Sequence, residues 1–228
     1  MLIEVRRMSF RKVHSNLHEE YAVTLQKDLQ DDYSYQQSFI IIKRLIDILM
    51  ASVGLIITMP IVLFFCIAIK LETPGPAFYF QERVGRDGKY FNIIKLRSMS
   101  VDAEKKGAQW ADKNDPRVTK IGAFIRKSRI DEIPQLINVL QGDMSVIGPR
   151  PERPVFTAQF NDEIPGFIQR LTVKPGLTGW AQVNGGYDIT PKEKLLLDLY
   201  YIENRSFLID LKIIFKTIRI VITGEGAR

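Results

Sequence analysis

Cysteine and histidine are nearly absent from this chain. Its 228 residues include one cysteine, Cys66, and two histidines, His14 and His18. A single cysteine excludes an intramolecular disulfide and any zinc site built on cysteines. Both histidines lie in the polar N-terminal stretch, so histidine general-base catalysis is not expected, and carboxylates are left to carry acid–base or nucleophilic chemistry. There is no internal repeat and no low-complexity tract. Residues 1–38 contain no short apolar core with a cleavage site, so no secretory leader is expected.

What the chain does contain is segregated. Hydrophobic residues make up 46% and charged residues 25%, which suits one ordinary domain plus additions. The net charge of +6 and pI near 9.3 favour an anionic partner: nucleic acid, acidic lipid or a phosphorylated substrate. Residues 1–38 read as a flexible or partly helical extension, with Arg6, Arg7, Arg11 and Lys12 able to touch acidic headgroups. Residues 48–69 are uncharged and mostly apolar, long enough to cross the hydrocarbon core of a bilayer. Pro60 near their middle removes a helical hydrogen bond, so a kink is expected there. Basic residues flank both ends: Lys43 and Arg44 before, then Lys70, Arg83, Arg86 and Lys89 after. Because positive charge prefers the cytoplasmic side, this pattern suggests a helix that bends at Pro60 and returns. Composition leaves a kinked spanning helix and a buried soluble hairpin open as alternatives. Asp47 is expected at the interface near Lys43 and Arg44.

Beyond the apolar run the signals change to turns and strands. Pro74-Gly75-Pro76 marks a turn, residues 77–81 and 90–99 are extended, and residues 84–89 form a glycine-containing turn between them. Lys95 and Arg97 alternate onto one face of the second strand, as a phosphate-facing pair or equally as a solvated edge. Residues 101–118, with Trp110 and Asp115-Pro116, read as a helix and a loop, and residues 121–129 as a short helix.

The chain is organised around the stretch from Arg126 to Leu136. Ile133, Leu136, Ile137 and Leu140 recur at helical spacing, and Pro134 fits only a first turn, which predicts a helix from near Asp131 to about Gly142. Asp131 and Glu132 then sit at a helix N-terminus, preceded by Arg126, Lys127 and Arg129. A second basic turn, Gly148-Pro149-Arg150-Pro151, follows the helix. Carboxylates and cations converging on a helix N-terminus suit phosphate chemistry, with a carboxylate binding Mg²⁺ or attacking phosphorus. The plainer alternative is an N-cap aspartate among solvated arginines. Pro134 stands where a capping box has Glu or Gln, which weakens that alternative.

Residues 152–170 read as helical, interrupted at Pro165-Gly166. Residues 174–180 form a tight turn into an extended run at 181–183, followed by Asn184-Gly185-Gly186, where glycines permit close approach to a ligand or only satisfy a turn. Thr190-Pro191-Lys192-Glu193 opens a helix carrying Asp198, Tyr200 and Tyr201. Residues 207–222 are amphipathic, with Lys212, Lys216 and Arg219 as a basic stripe and Leu208, Leu211, Ile214, Phe215 and Ile218 as apolar bulk. Such a helix lies in a membrane interface or packs on a partner.

In this order and spacing, the motifs resemble the bacterial sugar transferase family, the monotopic phosphoglycosyl transferases. The resemblance runs over residues 41–222. Its motifs here are Lys43-Arg44 with Asp47, Pro60, Pro74-Gly75-Pro76, Lys95 to Met99, and Asp115-Pro116-Arg117. They continue as Asp131 to Gln135, Gly142 to Ser145, Gly148 to Pro151, Pro175 to Gly179, and Ala181 to Gly185. The resemblance implies transfer of a hexose 1-phosphate from a UDP-sugar to polyprenol (undecaprenyl) phosphate with release of UMP, initiating glycan or exopolysaccharide assembly. It implies Asp131 as nucleophile, forming an aspartyl phosphosugar intermediate, and Glu132 with Asp131 as the Mg²⁺ site. It implies phosphate contacts at Arg126 and Arg150, and the whole candidate phosphate- and substrate-binding set is Arg126, Arg129, Arg150, Lys95, Arg97, Gln182, Asn184 and Asp198. It also implies a re-entrant helix bent at Pro60, at the cytoplasmic face of the bacterial inner membrane. Met59, Lys174 and Gly186 depart from the residues common in the family at those positions.

The fold class expected is α+β: a small, mainly helical catalytic domain with a short β-hairpin or sheet, the re-entrant helix and interfacial amphipathic helices. The divisions expected are 1–38, 39–70, 71–205 and 206–228. The helix N-terminus is expected to keep Asp131 ionised. The expected partners are the UDP-sugar, the polyprenol phosphate and anionic headgroups, with a homodimer left open. Nucleic acid is not expected, because the carboxylate pair repels a phosphate backbone. The competing functions are a membrane-attached hydrolase of nucleotide diphosphate sugars and a non-enzymatic basic membrane scaffold.

Overall fold

The computed structural model describes residues 2–105, 107, 115–185 and 189–223, with side chains from residue 37 onward. Trp110 and Gly186 lie outside the described residues, as do the side chains of His14, His18 and the N-terminal arginines. The chain forms two compact units, Met1–Leu45 and Ile46–Arg228.

Helix α1 runs Leu2–Glu72 and contains the apolar segment Gln37–Glu72, 36 residues, long and apolar enough to cross a membrane. The helix assignment continues through Pro60. Proline has no amide hydrogen to give the Ile56 carbonyl, so that turn lacks one ladder bond. Two residues before Pro60, Thr58 Oγ1 donates to the Gly54 carbonyl at 2.6 Å, a back-bond of the kind that bends helices.

Within the larger unit, α1 presents a small-residue side to the rest of the fold. Ala51 is fully buried, and a side chain at Gly54 would meet Leu136. Ile56, Ile57, Leu63, Phe64 and Ile67 face outward and stay exposed. Asp47 is buried within the protein. It accepts hydrogen bonds from Ser145 Oγ and the Val146 amide, both 3.0 Å, because an unpaired carboxylate there would be costly.

Strands β1 (Phe78–Val84) and β2 (Tyr90–Leu96) form the expected antiparallel hairpin, in a register that sets Tyr79 opposite Lys95 and Val84 opposite Tyr90. Its turn uses positive φ at Asp87 and Gly88. Helix α2 (Lys120–Lys127) starts under Thr119, whose side chain accepts from the Gly122 amide, and the Glu72 carboxylate accepts from the Lys120 and Ile121 amides. A 3₁₀ turn (Ile130–Glu132) and helix α3 (Gln135–Gln141) follow. Strand β3 (Ser145–Ile147) then leads to helix α4 (Pro154–Glu163), a 3₁₀ segment (Phe167–Thr172) and strand β4 (Gly176–Thr178), which pairs in parallel with β3. Helices α5 (Trp180–Asn184), α6 (Pro191–Glu203) and α7 (Phe207–Thr223) complete the order. The capping box at Thr190 and Glu193 forms as expected.

One expectation changes here. Residues 181–183 are helical, not extended: five residues are too few to show a period, so the alternative to a strand left no signal. The glycines around them serve the backbone of the fold. A side chain at Gly176 or Gly179 would strike Gly148, so these glycines let the turn after β3 lie directly against β4.

The core is divided into three clusters. Ala51, Ile93, Val139, Met144, Tyr201 and Ile213 form the centre, where α1, the hairpin, α3, α6 and α7 meet. Ile69, Ala77, Leu96 and Ile125 pack the end of α1 against α2, while Phe160, Phe167 and Leu195 join α4 to α6. Among the described residues the architecture is mainly helical with two small sheets.

Candidate active site

The acidic pair is set by a sharp change of direction. After α2 ends at Ser128, Arg129 adopts a left-handed conformation with φ 57 and ψ 17. A non-glycine residue in that region costs about 1–3 kcal/mol and persists where surrounding structure enforces it. The turn folds Ile130–Glu132 into a 3₁₀ turn and buries Asp131. Pro134 then caps α3, and Gly142 at φ 95 closes it. The expected helix from Asp131 is therefore broken: the carboxylates stand ahead of α3 in a turn of their own. The helix dipole acts over the first turn only, so it is not what controls Asp131.

Three elements meet at Glu132. Lys95 Nζ, from β2, donates to Glu132 Oε1 at 2.9 Å. Arg150, from the turn after β3, donates to both oxygens, with Nη1 at 3.4 Å from Oε2 and Nη2 bonded to Oε1. Burial acts to raise the Glu132 carboxyl, but Arg150 and Lys95, through charge and hydrogen bonds, hold it well below the ordinary carboxylate range. Burial lowers Lys95 against the pull of Glu132, and Glu132 raises Arg150.

Asp131 behaves in the opposite sense. Burial and then the neighbouring Glu132 charge push its carboxyl up to about 6, against the pull of Lys95, Arg126 and Arg150. No hydrogen bond among the described residues engages its carboxylate, unlike that of Glu132. Two adjacent carboxylates thus separate into a fixed, cation-held anion and a desolvated one left free to react.

The remaining predicted residues divide between this centre and other places. Arg126 reaches Asp131 through charge, and Arg129 supplies the left-handed turn. Arg97 is separated from Lys95: it lies just beyond β2 and its guanidinium donates to the Thr73 and Pro74 carbonyls, bracing the turn after α1. The Gln182 amide is buried and unbonded among the described residues, as is that of Gln135. Asn184 donates to the Trp180 carbonyl and accepts from Lys216, which also lies over the Trp180 ring. Asp198 is fully buried, taking two bonds from Arg170 at 2.9 and 2.6 Å.

Sequence reasoning missed the cluster to which Asp198 belongs. Glu152 accepts from Lys194 and lies within 4 Å of both Arg83 and Arg170. Its carboxyl is held below its ordinary value: burial raises it, but Lys194 and Arg170 outweigh that. Burial raises Asp198 against the pull of Arg170. Partners 28 and 42 residues apart share no local period, so no sequence pattern pairs them.

Adjacent carboxylates are the donor type that Mg²⁺ takes. Mg²⁺ takes oxygen ligands and is typically held by one or two carboxylates together with substrate phosphates. Asp131 and Glu132 offer two adjacent carboxylates, and no cluster of three or more His, Cys, Asp or Glu exists among the described residues.

Residues 37–224 match the family model described as "Bacterial sugar transferase". A Bacillus subtilis (strain 168) protein, provisionally named an undecaprenyl-phosphate N-acetylgalactosaminyl 1-phosphate transferase, is 66% identical over 133 residues, 58% of this chain and 74% of that protein. An Aeromonas hydrophila protein named "UDP-N-acetylgalactosamine-undecaprenyl-phosphate N-acetylgalactosaminephosphotransferase" is 50% identical over 82% of this chain and 45% of its own length. The Escherichia coli (strain K12) "UDP-glucose:undecaprenyl-phosphate glucose-1-phosphate transferase" is 42% identical over 78% of this chain and 39% of its own. The chain therefore spans less than half the length of the latter two.

Proposed function

The chain belongs to the bacterial sugar transferase family, and from that premise we propose that it transfers a hexose 1-phosphate from a UDP-sugar to undecaprenyl phosphate. The observation that carries the chemistry is the contrast within the acidic pair: Glu132 pinned by Lys95 and Arg150, Asp131 buried and unbonded. A desolvated carboxylate beside a fixed anion and three cations is suited to nucleophilic attack on phosphorus. Asp131 attacks the sugar-bearing phosphorus of the donor; an Asp131–phosphorus bond forms, the diphosphate bridge breaks and UMP leaves. An oxygen of the polyprenol phosphate then attacks the same phosphorus, releasing Asp131 and forming the polyprenyl diphosphate sugar.

Glu132 and Asp131 would hold Mg²⁺, which supplies charge neutralisation at the phosphoryl oxygens when bound. Arg150, Lys95 and Arg126 add fixed positive charge around the same oxygens. Arg129 keeps the acidic pair in its turn, and Gln182 and Asn184 are assigned to the donor. N-acetylgalactosamine is the favoured sugar, since two of the relatives, one at 66% identity, are named for it. The exposed apolar face of α1 and the exposed Leu208, Leu211, Phe215 and Ile222 of α7 hold the enzyme in the bilayer, where the lipid acceptor is found; in this reading α1 bends at Pro60 in the membrane and re-enters from the cytoplasmic side.

The test is an incubation of detergent-solubilised protein with Mg²⁺, undecaprenyl phosphate and a panel of UDP-sugars, reading UMP. Release with UDP-N-acetylgalactosamine that requires both additions, and is lost in Asp131→Asn, is the expected result. Free sugar phosphate formed without the lipid would replace the transferase by a hydrolase. Silence with every donor would refute the reaction.

A further inference from the structure

The turn that carries Arg150 is gripped at four consecutive carbonyls, each by a donor from outside it. The Gly176 amide donates to the Pro149 carbonyl at 2.8 Å, Arg170 Nη2 to that of Arg150 at 2.8 Å, Arg83 Nη1 to that of Pro151 at 3.0 Å, and the Val84 amide to that of Glu152 at 2.9 Å. Pro149 and Pro151 lack amide hydrogens and cannot bond the turn to itself, so its shape is imposed by these neighbours. Two of the four donors are guanidinium groups, and they act on adjacent carbonyls.

The guanidinium of Arg170 is itself immobilised. Asp198 takes two hydrogen bonds from it, at Nε and Nη2, and the Phe167 ring lies 5.1 Å from its central carbon. Both the Arg170 and Asp198 side chains are at least 98% buried. Arg83 is steadied by Gln81 Oε1 at 2.5 Å and by the Glu152 carboxylate. The same buried cluster thus ends, through one more hydrogen bond on each arm, at the carbonyl of Arg150, which holds Glu132, and at that of Pro151 beside it.

We propose that Arg170, oriented by Asp198, and Arg83 are positioning residues that set the Arg150 guanidinium against Glu132 and the phosphoryl group. None of them touches the reacting atoms; each acts through Arg150. This inference rests on the reading of Arg150 as a phosphate contact. Lysine at position 170 keeps a positive charge for Asp198. Its single nitrogen cannot match the planar fork that spans Asp198 and the Arg150 carbonyl together.

The experiment is a double-mutant cycle on the full chain in detergent, with Arg170→Gln, Arg170→Lys, Arg150→Ala and the two double variants. The readout is the rate of UMP release at saturating donor, alongside the melting temperature. In the otherwise unaltered protein, either substitution at 170 should slow release about 10- to 30-fold, and in the Arg150→Ala background by less than about threefold, a coupling of the size seen between residues acting through one another. Arg170→Lys should recover most of the melting temperature lost in Arg170→Gln without recovering the rate. If Arg170→Gln does not fold, Arg170→Lys carries the cycle. Equal losses in both backgrounds, or full activity in Arg170→Lys, would overturn the positioning role while leaving the transferase reading intact. An unaltered protein that releases no UMP from any donor would instead overturn that reading, and the positioning role with it.

Discussion

The larger unit of this protein contains two buried groups of charge, and they are built on opposite terms. In the Glu152–Asp198 group every carboxylate is cross-bonded: Asp198 by Arg170, Glu152 by Lys194 with Arg83 and Arg170 close by. In the Asp131–Glu132 group one carboxylate is equally well held, while the other is buried without a hydrogen bond. Residue types and depth are alike, and the difference lies in how many partners each carboxylate receives. A satisfied buried ion pair fixes a shape, whereas a buried carboxylate with few partners keeps its affinity for a proton, a metal ion or phosphorus.

The comparison breaks first at Asp131. Asp131→Asn should remove the covalent phosphosugar adduct, read by intact mass, and lower transfer by at least about 10³-fold. The same substitution should raise the melting temperature at pH 7. A carboxyl raised to about 6 stabilises the folded state below the unfolded value near 4, and that contribution is lost as pH rises through 6. At pH 7 the buried charge is a cost that asparagine removes. A melting temperature that fell in Asp131→Asn would place Asp131 with the structural carboxylates.

Asp198→Asn should show the reverse balance. Removing one partner of a buried ion pair costs about 3–5 kcal/mol, so chemical denaturation should detect a large loss of stability. Adduct formation should persist at reduced rate in the fraction that remains folded. Complete loss of adduct with unchanged stability would move Asp198 into the reacting group.

Glu152 sharpens the contrast through pH. Its folded carboxyl lies below the ordinary value, so its stabilisation is fully present above about pH 4.3, the unfolded value, and disappears as pH falls through the lower folded one. Acid unfolding followed by circular dichroism should be less steep in that window for Glu152→Gln than for the unaltered chain. The smallest effect is expected at Asp47, whose carboxylate ties α1 to β3. Ser145→Ala removes one of its two bonds and should cost about 1 kcal/mol in denaturant unfolding, since the Val146 amide still serves it. No change would mean that the backbone bond alone anchors the helix.

Much of this molecule was legible in local chemistry. The hairpin followed from the turn residues at 84–89, α6 from its capping box and α7 from its amphipathic pattern, and a short helix was expected where α2 lies. Asp131, Glu132, Arg150 and Lys95 were singled out by residue type and motif order, and the fold brings them together. Arg97 was grouped with Lys95 by strand alternation, yet the strand ends at Leu96 and Arg97 turns to the Thr73 and Pro74 carbonyls. Residues 181–183 gave an extended reading because a five-residue helix has no period to display.

The sequence by itself determined most of the longer helices, the hairpin, where the apolar helix lies and which acidic pair is unusual, because each depends on neighbours a few residues apart. Tertiary structure alone decided which carboxylate of that pair is held by cations and which is buried without a hydrogen bond. It also decided that β3 and β4 pair in parallel through closely packed glycines, and that Arg170 and Asp198 stand behind Arg150. Desolvation and pairing are set by groups brought in from distant parts of the chain. Two adjacent carboxylates with nearly identical local sequence can therefore acquire opposite proton affinities only once the chain has folded around them.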